Sequence, residues 1–426
     1  MIFRRSVAKL LIQRLAEPPR RLQILAGPRQ VGKTTLVHQV LAERPLGSAR
    51  FLSTELTESG DRSASDKPFA EVASGPATVM DGDALVAVWQ DAERQALDWD
   101  TKIRLQDRGE QPFVLVIDEI QRIPQWSTTV KGLWDASRAK GIGMQVVLLG
   151  SAPLLVQQGL NESLTGRYEL IRVPHWSYPE MSEAFGFSQD QYIYFGGYPG
   201  AADYVGDDER WRAYVLDALV EPSIAKDVLQ MERVDKPIML RRLFELGCEY
   251  SAQVMALDKV SKTLGQGHTL TLAHHLTLLG HAGLLTGLQK YSAQTVRQRM
   301  SPPKFQVLNN ALMSARSSYD FESARLDRSH WGRLVESLVG THLLNSADRD
   351  TKIHYWRESS LEVDFVVEHR GRLAALEVKS QASFARPAGL DTFCGRHPEA
   401  RRWVVGGAEL PLEEFLLHPA SHWVKA

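Results

Sequence analysis

Gly27-Pro28-Arg29-Gln30-Val31-Gly32-Lys33-Thr34 follows a short apolar run, Leu22 to Ala26, and leads into a helical pattern. The string fits G-x-x-x-x-G-K-[ST], a loop that wraps a polyphosphate, in the strand-loop-helix setting that the motif needs. Glycines are required there because backbone N–H groups turn inward around the phosphates, where side chains would collide with the ligand. Lys33 is expected to neutralise the β and γ phosphates and Thr34 to offer its hydroxyl to Mg²⁺. The following helix points its positive end at the anion. With Thr35 added, residues 27 to 35 form the candidate nucleotide contacts. Further along, Val114-Leu115-Val116-Ile117-Asp118-Glu119 is an apolar strand ending in two carboxylates. Asp118 is expected to hold Mg²⁺ through its water shell, and Glu119 to polarise an attacking water as general base. Together these residues imply ATP and Mg²⁺ as cofactors, and hydrolysis rather than mere holding.

Such groups need a sheet to carry them. From Leu22 to Ser151, apolar runs at Leu22 to Ala26, Arg50 to Ser53, Phe113 to Ile117 and Val146 to Leu149 alternate with helical stretches. Strands buried on both faces read as continuous apolar runs, so this is the rhythm of a parallel sheet covered by helices, an α/β core over residues 1–176. Between Glu55 and Gln111 lies a longer polar insertion in which Ala84 to Leu97 reads as a helix. A helical lid is expected over 177–235, broken at Gly196-Gly197-Tyr198-Pro199. Over 236–320, three short helical patterns precede strands at Leu285 to Gln289 and Lys304 to Leu308, the order of a winged helix. The last segment, 321–426, reads as a small α/β unit: a helix at Trp331 to Leu344, strands at Ile353 to Arg357, Glu362 to Glu368 and Leu373 to Val378, a helical stretch, and a strand at Arg402 to Val405.

The first half resembles the AAA-type P-loop ATPases, in particular the prokaryotic group whose loop reads G-P-R-Q-V-G-K-T and whose second motif reads D-E-I-Q, ending here at Thr34 and Gln121. That resemblance implies a polar sensor at the end of the fourth strand, where Ser151 stands. It also implies a role for Arg167 in Leu164-Thr165-Gly166-Arg167, as an arginine finger given to a neighbouring subunit or as a surface or intramolecular arginine. A finger would imply a homo-oligomer, a ring such as a hexamer. Gly196-Gly197-Tyr198-Pro199 also matches, and the family carries a C-terminal domain of unknown function.

That C-terminal segment in turn resembles the PD-(D/E)XK nuclease fold in the order of Glu336 on a helix, Asp364 on a strand, and Glu377-Val378-Lys379 ending the next. The resemblance implies that Asp364 and Glu377 bind a metal, Glu336 assists, and Lys379 orients or activates water. An active nuclease and a degraded fold kept for binding or assembly both remain open.

No Asp or Glu occurs between Asp258 and Asp320, a stretch that holds Lys259, Lys262, Lys290, Arg297, Arg299, Lys304 and Arg316. A duplex repels exposed carboxylates, so this depletion suits a DNA-facing surface, with a helix near Thr269 to Leu279 at the groove and Arg297 and Arg299 on the backbone. Buried core is the other explanation, suggested by Leu276, Leu278, Leu279, Leu284 and Leu285, and winged helices also dock proteins. His268, His274, His275 and His281 lack a neighbouring cysteine or carboxylate and are not read as a metal site.

Whole-chain composition narrows the class without naming a partner. The 426 residues, 43% hydrophobic and 24% charged, predict several soluble globular units, and 50 basic residues nearly cancel 51 acidic ones. Cys248 and Cys394 are far apart, which points to a reducing compartment, the cytoplasm. Lys9, Gln13 and Arg14 interrupt the N-terminal apolar run, so neither a signal peptide nor a membrane span is expected.

Overall fold

The computed structural model describes residues 3–54, 81–106, 111–150, 163–229, 236–265, 268–292, 301–380 and 388–425. Ser151, Arg297 and Arg299, together with most of the polar insertion, lie outside the described residues. The chain divides into two compact units, Met1–Val173 and Pro174–Ala426.

In the first unit, β1 (Leu22–Ala26), β2 (Ala49–Ser53), β3 (Phe113–Asp118), β4 (Met144–Gly150) and β5 (Tyr168–Arg172) form one sheet in the order β2-β3-β4-β1-β5. Every pairing is parallel. The three inner strands β3, β4 and β1 are buried at every position, whereas the edge strands β2 and β5 are each buried at only one. That contrast explains the continuous apolar runs: inner strands carry helices on both faces and have no side facing water. The order also brings the ends of β1 and β3 to one edge of the sheet on either side of β4, although they are far apart in sequence. The helix of the insertion spans Gly82–Gln106 and buries Trp89 against the layer under β3.

The second unit is built on a mixed sheet of six strands, β6 (Leu285–Lys290), β7 (Lys304–Val307), β8 (Thr351–Glu358), β9 (Leu361–His369), β10 (Arg372–Val378) and β11 (Arg401–Val405), in the order β11-β10-β9-β8-β6-β7. Three helices, Pro237–Glu249, Leu257–Thr263 and Thr269–His281, precede β6 in the order expected of a winged helix. The expected wing hairpin does not stand alone. β6 and β7 pair antiparallel, but β6 also pairs parallel with β8 through Gln289 and Lys290, so the hairpin is the edge of a larger sheet. The boundaries expected at 235 and 320 therefore fall inside one compact unit. The Gly196-Gly197 turn also packs within that unit: Gly197 N–H donates to Asn309 Oδ1 at 3.0 Å, and a Cβ on Gly196, whose φ is +67°, would lie 2.1 Å from the same oxygen. Only glycine fits there.

Candidate nucleotide site and a buried lysine–carboxylate cluster

The loop between β1 and the helix Lys33–Leu41 takes its shape from left-handed backbone at Gln30 (φ +59°) and Gly32 (φ +83°). Gly27 meets a steric limit. A Cβ there would lie 2.0 Å from the carbonyl oxygen of Val173, just past β5, whose N–H bonds to Ala26 O at 2.8 Å. Arg5, almost wholly buried, donates from Nη1 to Val31 O at 3.1 Å and ties the N-terminal segment to the loop. Lys33 is buried and its ammonium donates to Gly27 O at 3.0 Å and Pro28 O at 2.7 Å, so its charge already sits within the loop.

The two motifs meet directly. Thr34 Oγ1 donates to Asp118 Oδ2 at 2.6 Å, while the other carboxylate oxygen accepts the Glu119 N–H at 2.9 Å. Burial pushes the Asp118 carboxyl above its ordinary range, opposed by the Thr34 hydrogen bond. A divalent cation next to a buried carboxylate and a hydroxyl relieves the same cost, so the donor set fits Mg²⁺. Glu119 itself has left-handed backbone, φ +54°. Its Oε2 accepts from Gln121 Nε2 at 2.7 Å and lies 3.9 Å from Arg122 Nε. Its carbonyl accepts from Thr54 Oγ1 at 2.9 Å, and Thr54 N–H bonds Asp118 O at 3.3 Å. Thr54 stands just past β2, the strand hydrogen-bonded to β3, and is the positioning residue that sequence reading missed. Arg5 was missed as well. Gln121 lay in a quoted motif but had no assigned role.

Arg167 lies at the other end of the sheet. Its carbonyl accepts from Leu22 N–H at 2.8 Å, at the start of β1, whereas the phosphate loop leaves the end of that strand. Its guanidinium grips Asp135 with two bonds of 2.8 and 2.9 Å.

In the second unit, the helix Arg328–Ser346 lies against β7. Gln306 Nε2 donates to Ser337 O at 2.8 Å, and a Cβ on Gly340 would stand 2.1 Å from Gln306 Oε1. Two residues earlier on the same strand, Lys304 faces the same way, because strand side chains alternate. Its ammonium donates to Glu336 Oε1 at 2.7 Å and Asp364 O at 3.0 Å, and lies 4.0 Å from Asp364 Oδ1. Lys304 is 0% exposed and therefore cannot contact DNA, which corrects its assignment to that surface. Burial alone would lower its pKa, but Glu336 and Asp364 hold it above the usual lysine value. Burial pushes the Glu336 carboxyl up to about 7 against the pull of Lys304. Asp364 Oδ2 accepts the Val378 N–H at 2.8 Å, and Lys379 Nζ donates to Glu377 Oε1 at 2.8 Å. The predicted nuclease residues are thus brought into one neighbourhood, together with a lysine not expected there. Among the described residues no three His, Cys, Asp or Glu side chains gather in a way that could hold a metal ion. Of the other expected DNA contacts, Lys259 and Lys262 are exposed and Lys290 is half-buried. Arg316 pairs with Glu245 at 3.1 Å.

Residues 19–182 match the family model described as an AAA domain, and residues 187–323 and 331–417 match two families each described as a domain of unknown function. Uncharacterized proteins of Mycobacterium bovis and Mycobacterium tuberculosis are each 25% identical over 389 residues, covering 89% of this chain and 74% of their own length. Among solved structures, the Walker-type ATPase of Pyrococcus abyssi is similar with a TM-score of 0.48 and 14% identity, over 74% of this chain and 96% of that one. The Aeropyrum pernix ORC1 protein in complex with DNA gives a TM-score of 0.27 and 14% identity, over 76% of this chain and 94% of that one. No helix among the described residues is long and apolar enough to cross a membrane.

Proposed function

We propose, from the premise that residues 19–182 form an AAA-type P-loop domain, that the protein hydrolyses ATP and uses the cycle to drive conformational work on DNA. The observation that carries the hydrolytic reading is the 2.6 Å bond from Thr34 to Asp118, with Glu119 next in the chain and anchored at both its carbonyl and its carboxylate. The loop N–H groups and the Lys33 ammonium bind and orient the triphosphate, with Lys33 exchanging its two carbonyl acceptors for phosphate oxygens. Mg²⁺, held by Thr34 and the shell of Asp118, supplies neutralisation of phosphate charge. Glu119 accepts hydrogen from the attacking water, a contribution of roughly 10² to 10⁴ in rate for a well-placed general base.

DNA as the substrate is supported by the acid-free stretch from Lys259 to Tyr319 and by the exposure of Lys259 and Lys262 beside the helix Thr269–His281. Subunit assembly is supported by the position of Arg167 in an L-x-G-R element; acting on a neighbour would require it to release Asp135. A second reading, a nucleotide-operated switch that docks a protein, is favoured by the neutral outer face of that same helix, where Leu270 is 83% exposed. Phosphate release measured with and without duplex, single-stranded and branched DNA separates the two. Stimulation by DNA that disappears in Lys33→Ala supports work on DNA, and indifference to every DNA supports the switch. Failure to bind or hydrolyse ATP under any of these conditions overturns both.

A further inference from the structure

Glu336 on a helix and Asp364 on β9 meet around the Lys304 ammonium, and Glu377 stands on the adjacent strand β10, the order in which a metal-dependent nuclease sets its carboxylates. Here the neutralising charge comes from the chain itself. Lys304 reaches in from β7, completely enclosed, with Glu336 Oε1 at 2.7 Å, the Asp364 carbonyl at 3.0 Å, the Asp364 carboxylate at 4.0 Å, and the face of Phe365 4.5 Å from Nζ. Two hydrogen bonds, a carboxylate and an aromatic face account for the surroundings of one ammonium. Two further oxygens are engaged as well: Asp364 Oδ2 by the Val378 N–H and Glu377 Oε1 by Lys379, each at 2.8 Å. A metal ion bound to Glu336 and Asp364 needs oxygen distances of about 2.0 to 2.6 Å. Nζ, 2.7 Å from Glu336 Oε1 and 4.0 Å from Asp364 Oδ1, borders that volume, and its charge repels a second cation there.

We propose that the Lys304 ammonium holds the cation position of this cluster, making it a closed lysine–carboxylate lock from which divalent metal is excluded. The lock fastens the β6–β7 hairpin to the helix Arg328–Ser346 and to β9. It keeps the carboxylate arrangement of a nuclease while removing the ion on which cleavage depends. This inference does not rest on the ATPase reading, because the phosphate loop belongs to the other unit.

The test counts bound Mn²⁺ by electron paramagnetic resonance in the full-length chain and in its Asp364→Asn variant. The difference reports the cluster alone, since the phosphate loop is unchanged in both. Wild-type protein is expected to show no difference. Lys304→Met keeps the side chain as far as Cε and removes the ammonium, and is expected to gain one Mn²⁺ that is lost again in Lys304→Met/Asp364→Asn. One Mn²⁺ more in wild type than in Asp364→Asn overturns the proposal, as does a folded Lys304→Met chain that gains none. Should Lys304→Met fail to fold, the wild-type comparison decides by itself.

Discussion

Thr54→Val isolates the geometry of Glu119 without touching a catalytic atom. Valine matches threonine in shape, so the change removes one hydroxyl, the donor to Glu119 O at 2.9 Å. That bond helps hold a non-glycine residue at φ +54°, a conformation that costs an L-residue about 1 to 2 kcal/mol. Losing a neutral hydrogen bond costs ~1 kcal/mol, and the carbonyl left without this donor adds to it. A shift of about 1 to 2 kcal/mol in the population of the productive Glu119 pose lowers kcat roughly five- to thirtyfold. Steady-state phosphate release against ATP concentration, with nucleotide affinity measured separately, should show the loss in kcat alone, because Thr54 bonds the end of β3 and not the phosphate loop. Thr54→Ser keeps the hydroxyl and should stay close to wild type. The reasoning is refuted if folded Thr54→Val retains full kcat, or if the valine and serine variants lose activity equally.

Gly27→Ala forces a methyl within 2.0 Å of Val173 O, so the loop or the end of β5 must move by roughly 1 Å. The first unit should lose at least about 2 kcal/mol in urea unfolding, and an unchanged midpoint would contradict the close approach. His342, enclosed by the second unit and bonded through Nε2 to His418 O at 2.8 Å, has its imidazole pushed down to about 4 by burial. Because the unfolded residue titrates near 6.5, its contribution is present above that pH and lost as pH falls toward 4, by up to about 3 kcal/mol. His342→Gln should flatten that part of the stability profile, and an unaltered acid limb would count against it. Replacing Lys259 and Lys262 together by Gln should weaken DNA binding in fluorescence anisotropy and reduce the salt slope by about 2, and an identical slope would remove these lysines from the interface.

Local patterns in the chain were enough to mark the candidate nucleotide site. Gly27, Gly32, Lys33 and Thr34 occur in one unbroken string, and Asp118 and Glu119 end one apolar run, so each half of the site is written within about ten residues. Strand rhythm was equally legible, because β1, β3 and β4 are buried on both faces and show it in composition. The partners of those groups were not legible. Thr54 reaches Glu119 because β2 lies beside β3, and Arg5 reaches Val31 because the N-terminal segment returns to the loop; neither follows from spacing.

Lys304 shows the limit most clearly. In sequence it is one base among several in an acid-free stretch, and an exposed strand would present it to a phosphate backbone. Strand alternation alone puts Lys304 and Gln306 on one face, but does not say what covers that face. Tertiary structure decides it, by laying the helix Arg328–Ser346 over β7 and bringing Asp364 of β9 within reach of Lys304, so that Glu336 and Asp364 supply in the interior the negative charge that the surface reading sought in DNA. Residue type and spacing marked the candidate phosphate loop; only the packing of distant segments fixed whether a charge faces solvent or another charge, because burial is a property of what folds over a residue.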